Sequence, residues 1–120
     1  PAAELCTRSP FPHARHMIEQ GVTVALATDC NPGSSYTTSM PFVMSLAVIL
    51  MGMTPDQALW SSTQGGAQAL RRTDIGNLCA GSRADLVVLD APSHIHLAYR
   101  PGVNQTRAVV RGGECVVGAL

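Results

Sequence analysis

The sequence predicts an α/β fold that turns β-rich after about residue 72. Three observations carry this expectation. A helical segment, a glycine and a short apolar run rich in β-branched residues follow one another between Pro12 and Ala27, the rhythm of an α/β unit. Two further segments of helical character fill residues 40–70. Beyond Arg72 the texture changes to turn residues, short apolar runs and a glycine pair flanked by strand-like sequence.

Taken in order, Pro12 stands where a helix starts and Gly21 where it ends, with Ala14, Met17 and Ile18 at helical spacing between them. This predicts an amphipathic helix over 12–20. Val22-Thr23-Val24-Ala25-Leu26-Ala27 lacks clean alternation and predicts a strand buried on both faces, as in a parallel sheet. Cys30 to Ser35 reads as a polar loop. Ser39 can cap a helix over 40–51, which is apolar almost all round and so must be buried on most sides. Thr54-Pro55-Asp56-Gln57 is a capping-box pattern that opens a helix of about 54–70. Gly65-Gly66 would weaken that helix by roughly 1 kcal/mol each, so close packing against a neighbour is expected there. Asp85 to Asp90 predicts a short strand bracketed by acids. Ala108 to Val117 predicts a hairpin across Gly112-Gly113.

Composition bounds the rest. The chain has 120 residues, one domain's worth or a piece of a larger one. Its formal net charge is +0, which gives no electrostatic case for nucleic acid or an anionic membrane. Charged residues make up 13%, about half the usual share of roughly 25%, and 46% of the chain is hydrophobic. Much of the surface is therefore meant to be covered, by the chain's own core or by other protein. The apolar run near Phe42 to Met53, interrupted by Ser45 and Gly52, is too short for a bilayer, which needs about 20 apolar residues. Cys6, Cys30, Cys79 and Cys115 show no CxxC spacing, which excludes a zinc ribbon or a thioredoxin-type motif. With no leader segment read in the sequence, they are expected to be reduced thiols in the cytoplasm.

The most informative residue is Asp29. A carboxylate at the end of a buried strand, followed by a glycine-containing loop, sits where parallel α/β folds place their active sites. It can ligate a metal ion and carry a proton, or it can cap the loop backbone as an Asx-turn. Chemistry alone leaves both open. Asn31 offers a donor and an acceptor, Gly33 lets backbone N–H groups approach a ligand, and Ser34 and Ser35 offer hydroxyls at the same edge. The same residues also describe an ordinary turn. His13 and His16 lie one helical turn apart on a polar face. His94-Ile95-His96 has the HxH spacing that metal sites favour, but no acid or cysteine is arranged around it in the sequence, so the histidines are read as surface residues. Nothing marks Cys30 as an activated nucleophile, and a packing role is preferred.

The spans Val22–Ser35 and Ile75–Asp90 together resemble the amidohydrolase superfamily. Ile75-Gly76-Asn77-Leu78-Cys79-Ala80-Gly81-Ser82-Arg83-Ala84-Asp85-Leu86-Val87-Val88-Leu89-Asp90 is similar to the stretch by which such chains leave the barrel and re-enter a small sandwich. Ala27 to Ser35 and Tyr99-Arg100-Pro101-Gly102-Val103-Asn104 resemble segments of the members that hydrolyse cyclic amides. The resemblance implies the C-terminal portion of a distorted TIM (β/α)8 barrel over 1–72 and strands of a small β-sandwich over 73–120. It implies that Asp29 is the carboxylate ligand of one zinc or iron ion and also the proton carrier. It implies that Asn31, Gly33 and Ser34 contact a small-molecule substrate. The other metal ligands would lie outside this chain, since catalytic sites take about three protein ligands. The implied enzyme is a cytoplasmic metal-dependent hydrolase, expected to be a homo-oligomer with neither nucleic acid nor membrane as partner.

Two alternatives remain at this level: another amidohydrolase acting on a cyclic amide or ureide, and a non-catalytic fragment that persists as a folding or interaction module. The isolated 120-residue chain is expected to turn over no cyclic amide. It is also expected to self-associate through uncovered apolar faces. An assay of the purified chain checks the first expectation. Sedimentation checks the second, and a monodisperse monomer would count against it.

Overall fold

A computed structural model describes residues 1–119. The elements run α1 (Ala2–Thr7), α2 (Ala14–Glu19), α3 (Met40–Leu50), α4 (Pro55–Ser62), α5 (Gln64–Ala69), β1 (Leu86–Leu89), α6 (Ile95–Tyr99), β2 (Thr106–Arg111) and β3 (Glu114–Gly118). The helices α2, α3 and α4 begin within two residues of their expected starts, and α3 and α4 carry local side-chain caps. Ser39 Oγ accepts from Phe42 N at 3.3 Å. The Thr54–Gln57 capping box closes in both directions, at 2.9 and 3.1 Å.

Residues 22–27 depart from expectation. They are extended but belong to no strand, because no neighbouring strand among the described residues offers a ladder. Their burial alternates: Val24 and Leu26 enter the core while Val22 stays 45% exposed, so one face is covered and not two. The segment is held instead by Leu26 N donating to Ser61 O at 3.0 Å and by packing on α5. The core joins Val24 and Leu26 to Val43, Met44, Leu46 and Ala47 of α3 and Ala58 of α4.

α3 is buried all round over its middle turn, where the five consecutive residues Val43 to Ala47 are all buried. The all-round apolar pattern is thus matched over the middle of the helix, and only its C-terminal end is open, with Ile49 67% exposed. The single helix expected over 54–70 is two helices. Thr63 leaves helical backbone at φ −121°, ψ −86°, and after this break Gly65 meets the extended segment. A Cβ on Gly65 would lie 2.5 Å from Val24 O and 3.0 Å from the Trp60 ring. The close packing expected at the glycine pair is therefore present at Gly65. Gly66 is open, with nothing nearer its Cβ position than Ser61 O at 3.9 Å.

Two short helices, α1 and α6, have no counterpart in the sequence reading. Each has too few residues to show a period. α6 occupies a stretch expected to be part of a β-rich tail. Buried Ser45 ties it to α3 by donating to Ala98 O at 2.7 Å, with Leu97 O at 3.3 Å. Gln105, also buried, donates to His96 O at 2.7 Å.

The remaining strands form one antiparallel sheet in the order β1-β2-β3. The glycine turn is as expected: Gly112 and Gly113 both take positive φ, 59° and 89°, which a side chain disfavours. Asp85 fastens this turn to the start of β1 by accepting from Gly112 N at 2.7 Å. Ala108 and Val110 face the interior. On the other face Val87, Val109 and Val117 stand in register across the three strands, with Val87 and Val117 more than half exposed. In the connection before β1, the Arg72 guanidinium hydrogen-bonds Asp74 and holds its carboxyl below the usual range.

The two neighbouring glycines should respond oppositely to the same substitution. Gly65→Ala forces the extended segment off α5 and is expected to cost about 1–3 kcal/mol. Gly66→Ala gains helix propensity in open space and should stabilise by up to about 1 kcal/mol. Urea unfolding of both variants reads the difference, and a destabilised Gly66→Ala beside a neutral Gly65→Ala would reverse the packing argument.

Candidate active site

The extended segment delivers Thr28 and Asp29 to the edge of the core, and there the chain turns sharply. Asp29 sits at φ 49°, one of three non-glycine residues with positive φ among those described. Aspartate tolerates this left-handed conformation better than most residues. Its side chain is exposed. Among the described residues, its carboxylate accepts no hydrogen bond and joins no ion pair. The Asx-turn reading therefore does not describe Asp29.

That role belongs to Asn31. Its Oδ1 accepts from Gly33 N and Ser34 N, both at 2.9 Å, with Ser34 Oγ at 3.3 Å. Its Nδ2 donates to Asp29 O at 2.7 Å. Asn31 and Ser35 also pair backbone to backbone in an isolated antiparallel bridge, at 3.0 and 3.3 Å. Gly33 has φ outside the positive region, and its value here is space: a Cβ would approach Asn31 Oδ1 to 3.3 Å. Ser34 is part-buried beside this amide oxygen. Asn31, Gly33 and Ser34 thus form one compact turn next to Asp29. Among the described residues, one N–H of Asn31 Nδ2 and the lone pairs of the Ser34 hydroxyl are left without a hydrogen bond.

Ser35 differs from its neighbour. The sequence offers its hydroxyl at the loop edge, but the residue is 1% exposed and its Oγ turns inward to donate to Thr28 O at 2.6 Å. No local signal separates the two serines, because which hydroxyl points inward depends on how the loop closes.

The histidines lie elsewhere. His13 is the N-cap residue of α2, and His16 is exposed on the same helix. His94 has an acid partner that the sequence reading did not see: Asp56 of α4 lies with Oδ1 2.6 Å from its Nε2. Thirty-eight positions separate the pair, so only packing of α6 against α4 brings them together. His96 stacks edge-on against Tyr99. Cys30 is exposed and is not packed in the core. A cleft of about 290 Å³ lined by Val22, Thr23 and Trp60 lies at the far end of the extended segment from Asp29. Among the described residues, no three histidine, cysteine or carboxylate side chains gather as a metal site. The donor set that this chain brings to a metal at Asp29 is one unengaged carboxylate. It fits as a single ligand of a hard or borderline cation, not as a complete site.

Residues 1–116 match the Amidohydrolase family, and the chain belongs to that family. Within it, the chain is 64% identical over 117 residues to the imidazolonepropionase of Streptomyces griseus, covering 98% of this chain and 30% of that protein. It is 65% identical over 113 residues to the imidazolonepropionase of Salinispora arenicola, covering 94% of this chain and 29% of that protein. This chain therefore spans under a third of the length of these curated relatives. Among solved structures, it resembles an adenosine deaminase from Xanthomonas campestris with bound zinc, at TM-score 0.86 and 27% identity over 98% of this chain and 31% of that one. The guanine deaminase of Escherichia coli shares the fold at TM-score 0.79 and 20% identity, over 100% of this chain and 33% of that one.

Asn31 carries the turn, so Asn31→Ala should free the amides of Gly33 and Ser34 together. Hydrogen exchange at both positions is expected to quicken by about tenfold, the equivalent of roughly 1.4 kcal/mol of lost hydrogen bonding. Unchanged protection at either amide would show that the turn closes without Asn31.

Proposed function

We propose that this chain is the C-terminal part of an imidazolonepropionase, which hydrolyses 4-imidazolone-5-propanoate to N-formimidoyl-L-glutamate in histidine degradation. The observation that carries this reading is the 64% identity to one such enzyme over nearly the whole chain. The structure supports it with an unengaged carboxylate beside a turn closed by Asn31.

In this reading residues 1–72 complete a distorted (β/α)8 barrel, with 22–27 as its last strand. The bare edge and single covered face of that segment suit a place between barrel neighbours. Residues 73–120 contribute the sheet to a β-sandwich, and the exposed Val87–Val109–Val117 row is the face that a second sheet would cover. The whole enzyme is a cytoplasmic homo-oligomer that takes a small-molecule substrate.

Asp29 is assigned as the carboxylate ligand of one zinc or iron ion, with the other ligands on protein outside this chain. When bound, such an ion acidifies water and polarises a carbonyl. Asp29 accepts the proton of the attacking water and returns it to the departing ring nitrogen, so the C–N bond opens with water added across it. Asn31 Nδ2, the Gly33 backbone and Ser34 Oγ hold the substrate or its ring-opened product beside that carboxylate. A second reading, an amidohydrolase acting on aminopurines, draws on the zinc-bearing deaminase fold at 27% identity.

The full-length enzyme carrying this chain should consume imidazolonepropanoate and leave aminopurines and cyclic ureides untouched. Asp29→Asn is expected to cut kcat by at least about 100-fold. A strong chelator should abolish turnover until zinc or iron is restored. Deamination of an aminopurine in place of imidazolone hydrolysis would shift the assignment to the second reading.

A further inference from the structure

We propose that Ser35 is a positioning residue for Asp29, an inference that rests on the assignment of Asp29 as a metal ligand. The direction of the Asp29 side chain is set by the two peptide planes on either side of its Cα. Each plane is pinned by one side-chain donor. Ser35 Oγ donates to Thr28 O at 2.6 Å and fixes the plane that precedes Asp29. Asn31 Nδ2 donates to Asp29 O at 2.7 Å and fixes the plane that follows. The two donors are the same two residues whose backbones pair across the loop. One closure therefore sets both φ and ψ at Asp29, and it holds a non-glycine residue at φ 49°.

Ser35 is the buried half of this device, at 1% exposure. Its hydroxyl is consumed by the carbonyl seven positions back in the chain and cannot also serve a ligand directed to the loop edge. It acts through Asp29. Without it, the Thr28–Asp29 peptide is free to rotate, Asp29 leaves its left-handed conformation, and the carboxylate no longer points where its fellow ligands require. Hydrogen-bonded supports of metal ligands commonly cost roughly 10–100-fold in affinity or activity when removed.

The test uses the full-length metal-loaded enzyme with Ser35→Ala, Ser35→Thr and Asp29→Asn. Ser35→Ala is expected to speed metal release to a chromogenic chelator by roughly 10–100-fold. It should lower kcat by a similar factor and change KM by less than about threefold. Ser35→Thr keeps the hydroxyl and should recover most of both losses. A lowered melting temperature with unchanged release rate and kcat would mark Ser35 as structural only and overturn the proposal. If Ser35→Ala does not fold, Ser35→Cys keeps the volume and weakens the donor, and an unchanged release rate there overturns the proposal equally. If Asp29→Asn retains its metal as tightly as the parent, the ligand assignment fails and the positioning role falls with it. If the parent binds metal through Asp29 but does not hydrolyse imidazolonepropanoate, only the substrate assignment fails, and faster release from Ser35→Ala still supports the role of Ser35.

Discussion

The fold turns on the contact between the Gly65 backbone and the carbonyl of Val24, a place where a single methyl group would intrude to 2.5 Å. An extended segment without strand partners has to satisfy its polar backbone and bury its side chains in some other way. Here it does so by lying against α5 and the end of α4, where Ser61 O accepts from Leu26 N. That seat carries Val24 and Leu26 into the core formed by α3 and α4, and it fixes where the segment ends. The position of Asp29 is thus decided some way back along the chain, by a glycine whose weak helix propensity is tolerated because nothing larger fits.

From that point the loop is self-contained. Asn31 and Ser35 close it on themselves, and their side chains reach back to the carbonyls on either side of Asp29. The loop spends its acceptor and donor groups internally and leaves the one charged group unengaged. An aspartate that capped its own turn would be a poor ligand, since a metal would have to compete with backbone N–H groups for its lone pairs. Delegating the cap to the neighbouring asparagine keeps the carboxylate available. The remainder of the chain serves as support. Ser45 locks α6 onto α3, and Asp85 ties the glycine turn of the sheet to the start of β1.

The uncovered groups have a common explanation. Ile49 on α3, Leu70 after α5, and Val87 and Val117 on the sheet are large, apolar and exposed in this chain. The low charge fraction had already indicated that much of this surface is meant to be covered. The chain spans under a third of the length of its curated relatives, and in the reading proposed above the rest of such a protein would cover these groups.

Sequence alone determined whatever is encoded within one turn of chain. The caps at Ser39 and Thr54, the glycine turn at 112–113, the short acid-bracketed strand and the Asp-x-Asn-x-Gly loop were legible because their physics is local: a side chain meets a backbone group a few positions away. The need for close packing at Gly65-Gly66 was also legible, although not which of the two glycines would supply it. Tertiary structure decided what depends on distant neighbours. Residues 22–27 have strand composition but no ladder among the described residues, because pairing is a property of two segments. The helix expected over 54–70 breaks at Thr63, and after the break Gly65 seats against Val24, a residue far away in sequence. His94 found Asp56 only because α6 packs on α4. Ser34 and Ser35 are chemically the same residue in sequence, and only the closure of the loop turned one toward Asn31 Oδ1 and the other inward onto Thr28.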